Sequence, residues 1–556
     1  MSSARIPGPG VSLPGRVYGL RLPAGRTRRL FAVAGAFLVL AAVLSGFSAV
    51  SAPKYHISRA RAIAAVRADR QVAAYLRAHP TTGARVEPLD ASDQEVGLFH
   101  GPRVVLVAAV GERGQVVSTE TFAKGQEQVG AALANRPAVL AGLTLLFLLA
   151  TMVWPLRRWR NLDALVLSSV TATIVLVNAR LAAASVIAGS GLLLYLIVRC
   201  AAVALRPRAP APATPLLAVM LRGVEPDRQG RLVGLALGAI ALAFLMVTLS
   251  SSAYLDVGVA CLQGATELIH GVLPYGHVTL AFHGDTYPLL SYVAYIPGAL
   301  LHPVTNAWSD LDGALYVTAL AAAAAAVAIW RLAGRLDTGP LGRQRAVLAW
   351  LAFPPVLLSA SAGTNDVVLA AVVAWVLVVA GRRLAVLLLA IAAWVKVVPV
   401  VLLPLWLARV RRSRVLRALL PAALLSVLLC AALVAYGGPG GVVRMLSALR
   451  FQYQRGSLHV PWYLFGLRWM QPLAEAATLC LLGAGTLALR GDREFARDPA
   501  RVAALAAAVL LAVQFCGDDW SFSYLVWAYP FVAAGLFLRR SEGLSVCPEF
   551  AGGARS

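Results

Sequence analysis

The sequence predicts an all-α polytopic membrane protein of about 13 to 14 transmembrane helices, with one small α+β insert outside the membrane. Three observations carry this prediction. The chain is 59% hydrophobic and only 14% charged, which is more apolar than a soluble domain. Apolar runs of roughly 18 to 22 residues recur, with charges gathered between them, as bilayer-crossing helices require. The formal charge of +24 sits largely in arginine clusters within short loops. That is the pattern that holds loops on the cytoplasmic side, and it gives no reason to invoke nucleic acid. The six cysteines are scattered, mostly inside apolar runs, with neither a disulfide framework nor metal-ligand spacing.

Residues 1–29 form a basic N-terminus (Arg5, Arg16, Arg21, Arg26, Arg28, Arg29) expected in the cytoplasm. The run "LFAVAGAFLVLAAVLSGFSAV" is longer than a signal-peptide core, so residues 30–50 read as a retained first anchor. Residues 51–137 then emerge outside as a module of mixed charge. It reads as a helix through "SRARAIAAVRADRQVAAYLRAHP" followed by two strands, "RVVLVAAVGERG" and "QVVSTETF", joined at Gly111 to Gly114. A helix on a small hairpin resembles a PepSY-like extracytoplasmic module.

Three spans follow within 138–205, and a Pro- and Arg-rich cytoplasmic linker occupies 206–231. The next span, near 232–252, delivers Asp256 to the outer face. The stretch "YPLLSYVAYIPGALLHPV" poses a parity problem. A full crossing there would place the basic segment 331–345 outside, so it reads as a helix lying along the outer interface, consistent with its prolines and tyrosines. Spans near 312–331 and 345–362 then place "SAGTND" outside. "LAVLLLAIAAWVKVVPVVLLPLWLA" has basic clusters at both ends and cannot be one crossing helix. It reads as two half-length helices broken near Lys396 and Pro399. Spans near 415–436, 468–489, 501–515 and 522–538 complete the bundle, and the tail 541–556 is cytoplasmic, like the N-terminus.

The outer face then collects Asp256, Glu267, His270, Tyr275, His277, His283, Asp285 and Tyr287 from one long loop. To these it adds Asn365, Asp366, Lys396, Arg444, Arg450, Gln452, Gln454, Arg455 and His459, and finally Gln514, Asp518, Asp519 and Trp520. Arginine forks onto phosphate and lysine meets it as a point charge, while a carboxylate beside such cations can act as a general base. Plainer readings stand beside these. Asp256 could be a helix cap, Arg444 and Arg450 could hold lipid headgroups, and the histidines lack regular metal spacing. Lys396 is harder to set aside, because an ionisable group inside an apolar run costs about 2.5 to 3.5 kcal/mol and faces a cavity or a partner. No cofactor is required by any motif. The adjacent Asp518 and Asp519 leave open a divalent cation, although they read first as a solvated loop tip.

"YLDVGVACLQGATELIHGVLPYG" with "DTYPLLSYVAYIPGALLHP" resembles the opening loop of GT-C glycosyltransferases, above all the bacterial polyprenyl-phosphate-mannose-dependent alpha-mannosyltransferases. Asp256, Gly271, Pro274, Tyr275, Tyr287 and Pro288 match its order. "AAWVKVVPVVLLP", "LRFQYQRGSLHVPWYLFG" and "WSFSYLVWAYPF" are similar to three later elements of that family. The chain departs at Gly258, where the family often has Tyr, at Ser523, and in reading "GTND". The resemblance implies that 232–540 is a GT-C-like catalytic core performing inverting sugar transfer on the extracytoplasmic side of the plasma membrane. Asp256 would be the base, and Lys396 and Arg455 would bind the donor phosphate. Tyr275, His277, Asp285, Tyr287, Asp366, Gln452 and Tyr524 are candidates to bind substrate. The implied partners are a polyprenyl-phosphate-linked sugar, a glycan or glycolipid acceptor, and membrane lipids. The rival reading is a transporter or flippase of a lipid-linked or anionic substrate, which would also use a broken helix and buried charge.

Overall fold

The computed structural model describes residues 57–538, except 89–92, 102, 122–131, 180, 206–212, 253–254, 279–280, 282–283, 305–310, 337, 380–381, 451 and 453–455. The expected anchor at 30–50, the tail at 541–556, His283, Gln454 and Arg455 lie outside the described residues.

Two helices, α1 (Arg59–Ala68) and α2 (Arg70–Ala78), come first. Each has a side-chain cap: Ser58 Oγ accepts the Arg61 N–H at 3.3 Å, and Asp69 Oδ1 accepts the Val72 N–H at 3.1 Å. They accompany an antiparallel meander of β1 (Gly83–Pro88), β2 (Gln94–His100), β3 (Arg103–Val110) and β4 (Val116–Thr121), paired in chain order. Ala62, Val66 and Val72 from the helices share one core with Val96, Leu98, Leu106, Ala108 and Val110 from the strands. The sequence predicts only β3 and β4. "GARVEP" and "QEVGLFH" are short and carry Gly, Pro or charge, so pairing with β3 rather than local preference makes them strands.

The rest is helical. α3 (Pro137–Thr151), α4 (Trp159–Ser168), α5 (Val170–Asn178) and α6 (Ala182–Leu205) come next. A two-residue ladder of β5 (Val153–Trp154) and β6 (Thr214–Pro215) ties the end of α3 to the segment before α7 (Pro226–Leu249). Then come α8 (Asp256–Ile269), α9 (Leu289–Val293), α10 (Ile296–Leu301), α11 (Asp312–Arg335), α12 (Gly339–Ala352), α13 (Pro354–Ser361) and α14 (Asn365–Val378). After α15 (Arg382–Val395), a 3₁₀ segment (Val398–Leu402) leads into α16 (Leu403–Ala408). The chain finishes with α17 (Val415–Gly437), α18 (Gly441–Arg450), α19 (Gln471–Gly491), α20 (Pro499–Cys516) and α21 (Tyr524–Leu536).

Seven helices among the described residues are long and apolar enough to cross a membrane: the kinked α4–α5 pair, α6, α7, α11, α17, α19 and α20. Five shorter apolar stretches, including α3, α14 and α21, have 10–17 residues. The protein is an all-α polytopic membrane protein with a small sheet module. The sequence reading of about 13 to 14 crossings counts several of these shorter helices as spans. The span expected at 345–362 is divided at Phe353–Pro354 into α12 and α13, because proline lacks the N–H that would continue the ladder.

α20 is the hub. Its most apolar window is 83% buried, against 17% for α7, α17 and α19. Ala503, Ala504, Ala506, Ala507 and Ala508 are fully covered, and such small side chains let α6 and α21 pack closely on α20. The peripheral helices turn Leu235, Leu416 and Leu487 outward. That arrangement suits hydrocarbon, where an outward leucine costs nothing.

Candidate active site

Four elements bring their ends together. Asp256 is the first residue of α8, Asp366 lies in the first turn of α14, Lys396 follows α15, and Tyr524 opens α21. The approach of α8 depends on Gly258. A Cβ there would lie 2.9 Å from the Ala362 carbonyl oxygen and 3.0 Å from that of Gly363, while the Leu255 N–H donates to Ala362 O at 3.2 Å. Gly363 itself holds φ +71°, the left-handed turn that joins α13 to α14.

Lys396 Nζ donates to Asp366 Oδ1 at 2.5 Å; the side chains are 13% and 1% exposed. The same carboxylate oxygen accepts Trp527 Nε1–H at 3.0 Å. The ammonium also lies 4.7 Å from the centre of the Tyr524 ring, whose hydroxyl donates to Asp519 Oδ2 at 3.0 Å. Lys396 is thus fixed from two directions, by a carboxylate and by an aromatic face. Beneath it runs a buried relay: Asn365 Nδ2 donates to Ser291 Oγ at 2.9 Å, and Ser291 donates to Val395 O at 2.7 Å. Tyr295 donates to Gly363 O at 2.8 Å. These bonds pin α9, α10, α14 and the end of α15 to one another.

Asp256 is half-buried, and its Oδ1 accepts the Val257 N–H at 2.8 Å. Cys261, one turn further along α8, reports the neighbourhood. Burial pushes its thiol up, and Lys396, Asp366 and Asp256 all act on it electrostatically. The start of α8, with Asp256, packs on the Ala362–Gly363 turn that leads to Asp366, and the Asp366–Lys396 pair lies beyond it. The Asp366–Lys396 pair is buried, where each charge acts strongly on its neighbour.

The remaining candidates fall into loops around it. Tyr275 is buried and donates to Tyr287 O at 3.2 Å. Burial and the nearby Asp285 hold its phenol well above the usual range. Asp285 Oδ2 accepts the Gly276 N–H at 2.9 Å, and Tyr292 packs edge-on against both Tyr275 and Tyr287. His277 is exposed. Gln452 Nε2 donates to Thr286 Oγ1 at 2.7 Å, which ties Gln452 to the residue before Tyr287. Asp518 and Asp519 go separate ways. Asp518 Oδ1 accepts Gln471 Nε2–H at 2.7 Å, and Asp519 takes the Tyr524 hydroxyl. Among the described residues, no group of three or more His, Cys, Asp or Glu side chains is placed to hold a metal ion.

Sequence reasoning missed Trp527, Ser291 and Cys261. Trp527 had a readable signal, since it lies three residues beyond Tyr524 and so on the same helix face. Ser291 and Cys261 had none, being small residues inside apolar stretches.

A polytopic helical bundle with an ionisable cluster at the ends of four elements defines a membrane protein with a polar site at one end. Residues 286–516, less than half of the 556-residue chain, match the family model for glycosyltransferase family 87. This match indicates a membrane glycosyltransferase. It takes in Tyr287, Asp366, Lys396 and Gln452, while Asp256, Tyr275, His277, Asp285 and Tyr524 fall outside it. No curated protein and no solved structure matches the chain.

Proposed function

We propose that the protein moves a sugar, mannose in our reading, from a polyprenyl-phosphate donor to an envelope glycolipid, polysaccharide or protein acceptor on the extracytoplasmic side of the plasma membrane. The observation that carries this is the convergence of Asp256, Asp366 and Lys396 at one end of the bundle, inside and beside the segment that matches a glycosyltransferase family. Asp256 is the base. It takes the proton of an acceptor hydroxyl as that oxygen attacks the anomeric carbon; the bond to the lipid phosphate breaks, and inversion follows from attack opposite the leaving group. Lys396 faces the departing phosphate. Asp366 and Tyr524 hold its ammonium in place beforehand, so no reorganisation is needed as negative charge develops. Asp366 uses one of three ammonium protons, which leaves donors for a phosphate oxygen. The loop bearing Tyr275, His277, Asp285 and Tyr287, with Gln452 bonded to Thr286 beside it, would wall the acceptor and donor sugar, and Arg455 would join Lys396 in binding the donor phosphate.

The test is transfer of labelled mannose from polyprenyl phosphate by the full-length protein in membranes. Asp256→Ala, inserted normally, should lose 10²- to 10⁴-fold in rate. Full activity in that variant would remove the base assignment.

A further inference from the structure

A second polar cluster lies at the far end of α21 from Lys396. In α4, Asp163 is 1% exposed, and its Oδ1 accepts Arg199 Nε–H at 2.7 Å and the Tyr195 hydroxyl at 2.8 Å. Arg160, one turn earlier, donates Nε–H to Thr151 O at 3.1 Å and shares the field of the same carboxylate. Arg345 in α12 is 7% exposed. Its Nη2 donates to Ala150 O at 2.7 Å, but its Nε is buried without a hydrogen-bond partner, and no ion pair holds it among the described residues. Arg199 and Arg160 thus share one carboxylate that Arg199 already occupies, and Arg345 lies in the field of Arg160.

Arg160 and Arg345 border one cavity of about 120 Å³. Ile329, Tyr529 and Phe537 form apolar walls, Thr151 and Thr338 donate their hydroxyls to Phe147 O and Ala333 O, and among the described residues the lining contains no acidic side chain. A buried guanidinium without negative charge beside it is strongly unfavourable, whereas a forked donor pair around a small cavity matches a tetrahedral oxyanion. α21 touches both clusters. Its first residue, Tyr524, carries the ring against Lys396, while Tyr529 and Ala533 further along it, and Phe537 and Leu538 just after its end, line the cavity. Thirteen residues at about 1.5 Å each separate the two ends of that helix by about 20 Å.

We propose that this cavity is an anion site that binds a phosphate group through Arg160 and Arg345, at the end of the bundle opposite the Asp366–Lys396 pair. Its apolar wall and its guanidiniums suit a phosphate carried on a lipid as well as a free one. The site is independent of the sugar-transfer reading, since none of its residues belongs to that machinery.

The experiment measures phosphorus bound to the full-length protein in detergent, purified to constant phosphorus content. The protein is then titrated separately with inorganic phosphate and with short-chain phosphatidylglycerol at fixed ionic strength. Wild type should hold one phosphorus per chain, either retained through purification or taken up in the titration. Binding should weaken about tenfold or more in Arg160→Gln and in Arg345→Gln, as expected for loss of a charge-assisted hydrogen bond. The half-buried Arg160 is the milder change should Arg345→Gln fold poorly. Saturation by phosphatidylglycerol alone identifies a lipid headgroup, and saturation by inorganic phosphate identifies a free anion. No bound phosphorus in wild type, or equal binding in wild type and both variants, overturns the proposal.

Discussion

At the scale of single residues, the pairing of Lys396 with Asp366 organises the site. The pair is buried, so removing one partner leaves an uncompensated charge, a change that costs about 3 to 5 kcal/mol, whereas replacing both costs much less. Asp366→Asn and Lys396→Met should each lower the thermal midpoint of the purified protein, and the double variant should recover most of the loss. Additive losses would show that the two side chains do not depend on each other. Lys396→Ala should also damage donor use more than acceptor use, seen as a raised KM for the polyprenyl donor. Lys396 was legible because an ionisable group interrupts an apolar run. Asp366 was read as a substrate-binding candidate, but its pairing with Lys396 was not legible, because the two are 30 residues apart and only the tertiary fold brings them together. Asp285 and Tyr275 show the opposite limit. Their types and loop positions mark them as polar candidates, but sequence cannot tell a side chain that meets a ligand from one that locks its own loop, and both have intramolecular partners here.

At the scale of elements, breaks in helices position the chemistry. The interruption between α15 and α16 puts Lys396 at a helix end, and the turn between α13 and α14 puts Asp366 in a first turn. The first break could be read from sequence, since basic clusters flank a run too long to be half a hairpin and too one-sided to be a full crossing. The role of Gly258 could not, because it rests on how close two backbones come. Gly258→Ala would push α8 away from the Ala362–Gly363 turn and shift Asp256. The expected cost is about 1 to 3 kcal/mol of stability, with kcat falling further than the thermal midpoint alone accounts for. Wild-type kcat in Gly258→Ala would show that α8 need not sit so tightly.

At the scale of the whole molecule, the bundle places one ionisable cluster at each end of α21, and our topology puts the Asp256 end outside. Cysteine substitutions at exposed His277 and Arg335 test this in intact cells with a membrane-impermeant maleimide. His277→Cys should label directly and Arg335→Cys only after permeabilisation; the reverse pattern would invert the protein. The class of fold was legible because composition and run length respond to the bilayer as solvent. The count of crossings was less so, since prolines and short helices divide apolar runs in ways that hydropathy does not register. The account stands most directly on one measurement: transfer of labelled mannose from polyprenyl phosphate into membranes that lack this protein, on adding purified wild type, Asp256→Ala or Lys396→Ala. We predict that wild type labels an acceptor and releases polyprenyl phosphate, that Asp256→Ala loses at least about 10²-fold in rate, and that Lys396→Ala is impaired most at low donor concentration. Intact lipid-linked sugar moved across the membrane without cleavage, or equal transfer by all three proteins, would contradict it.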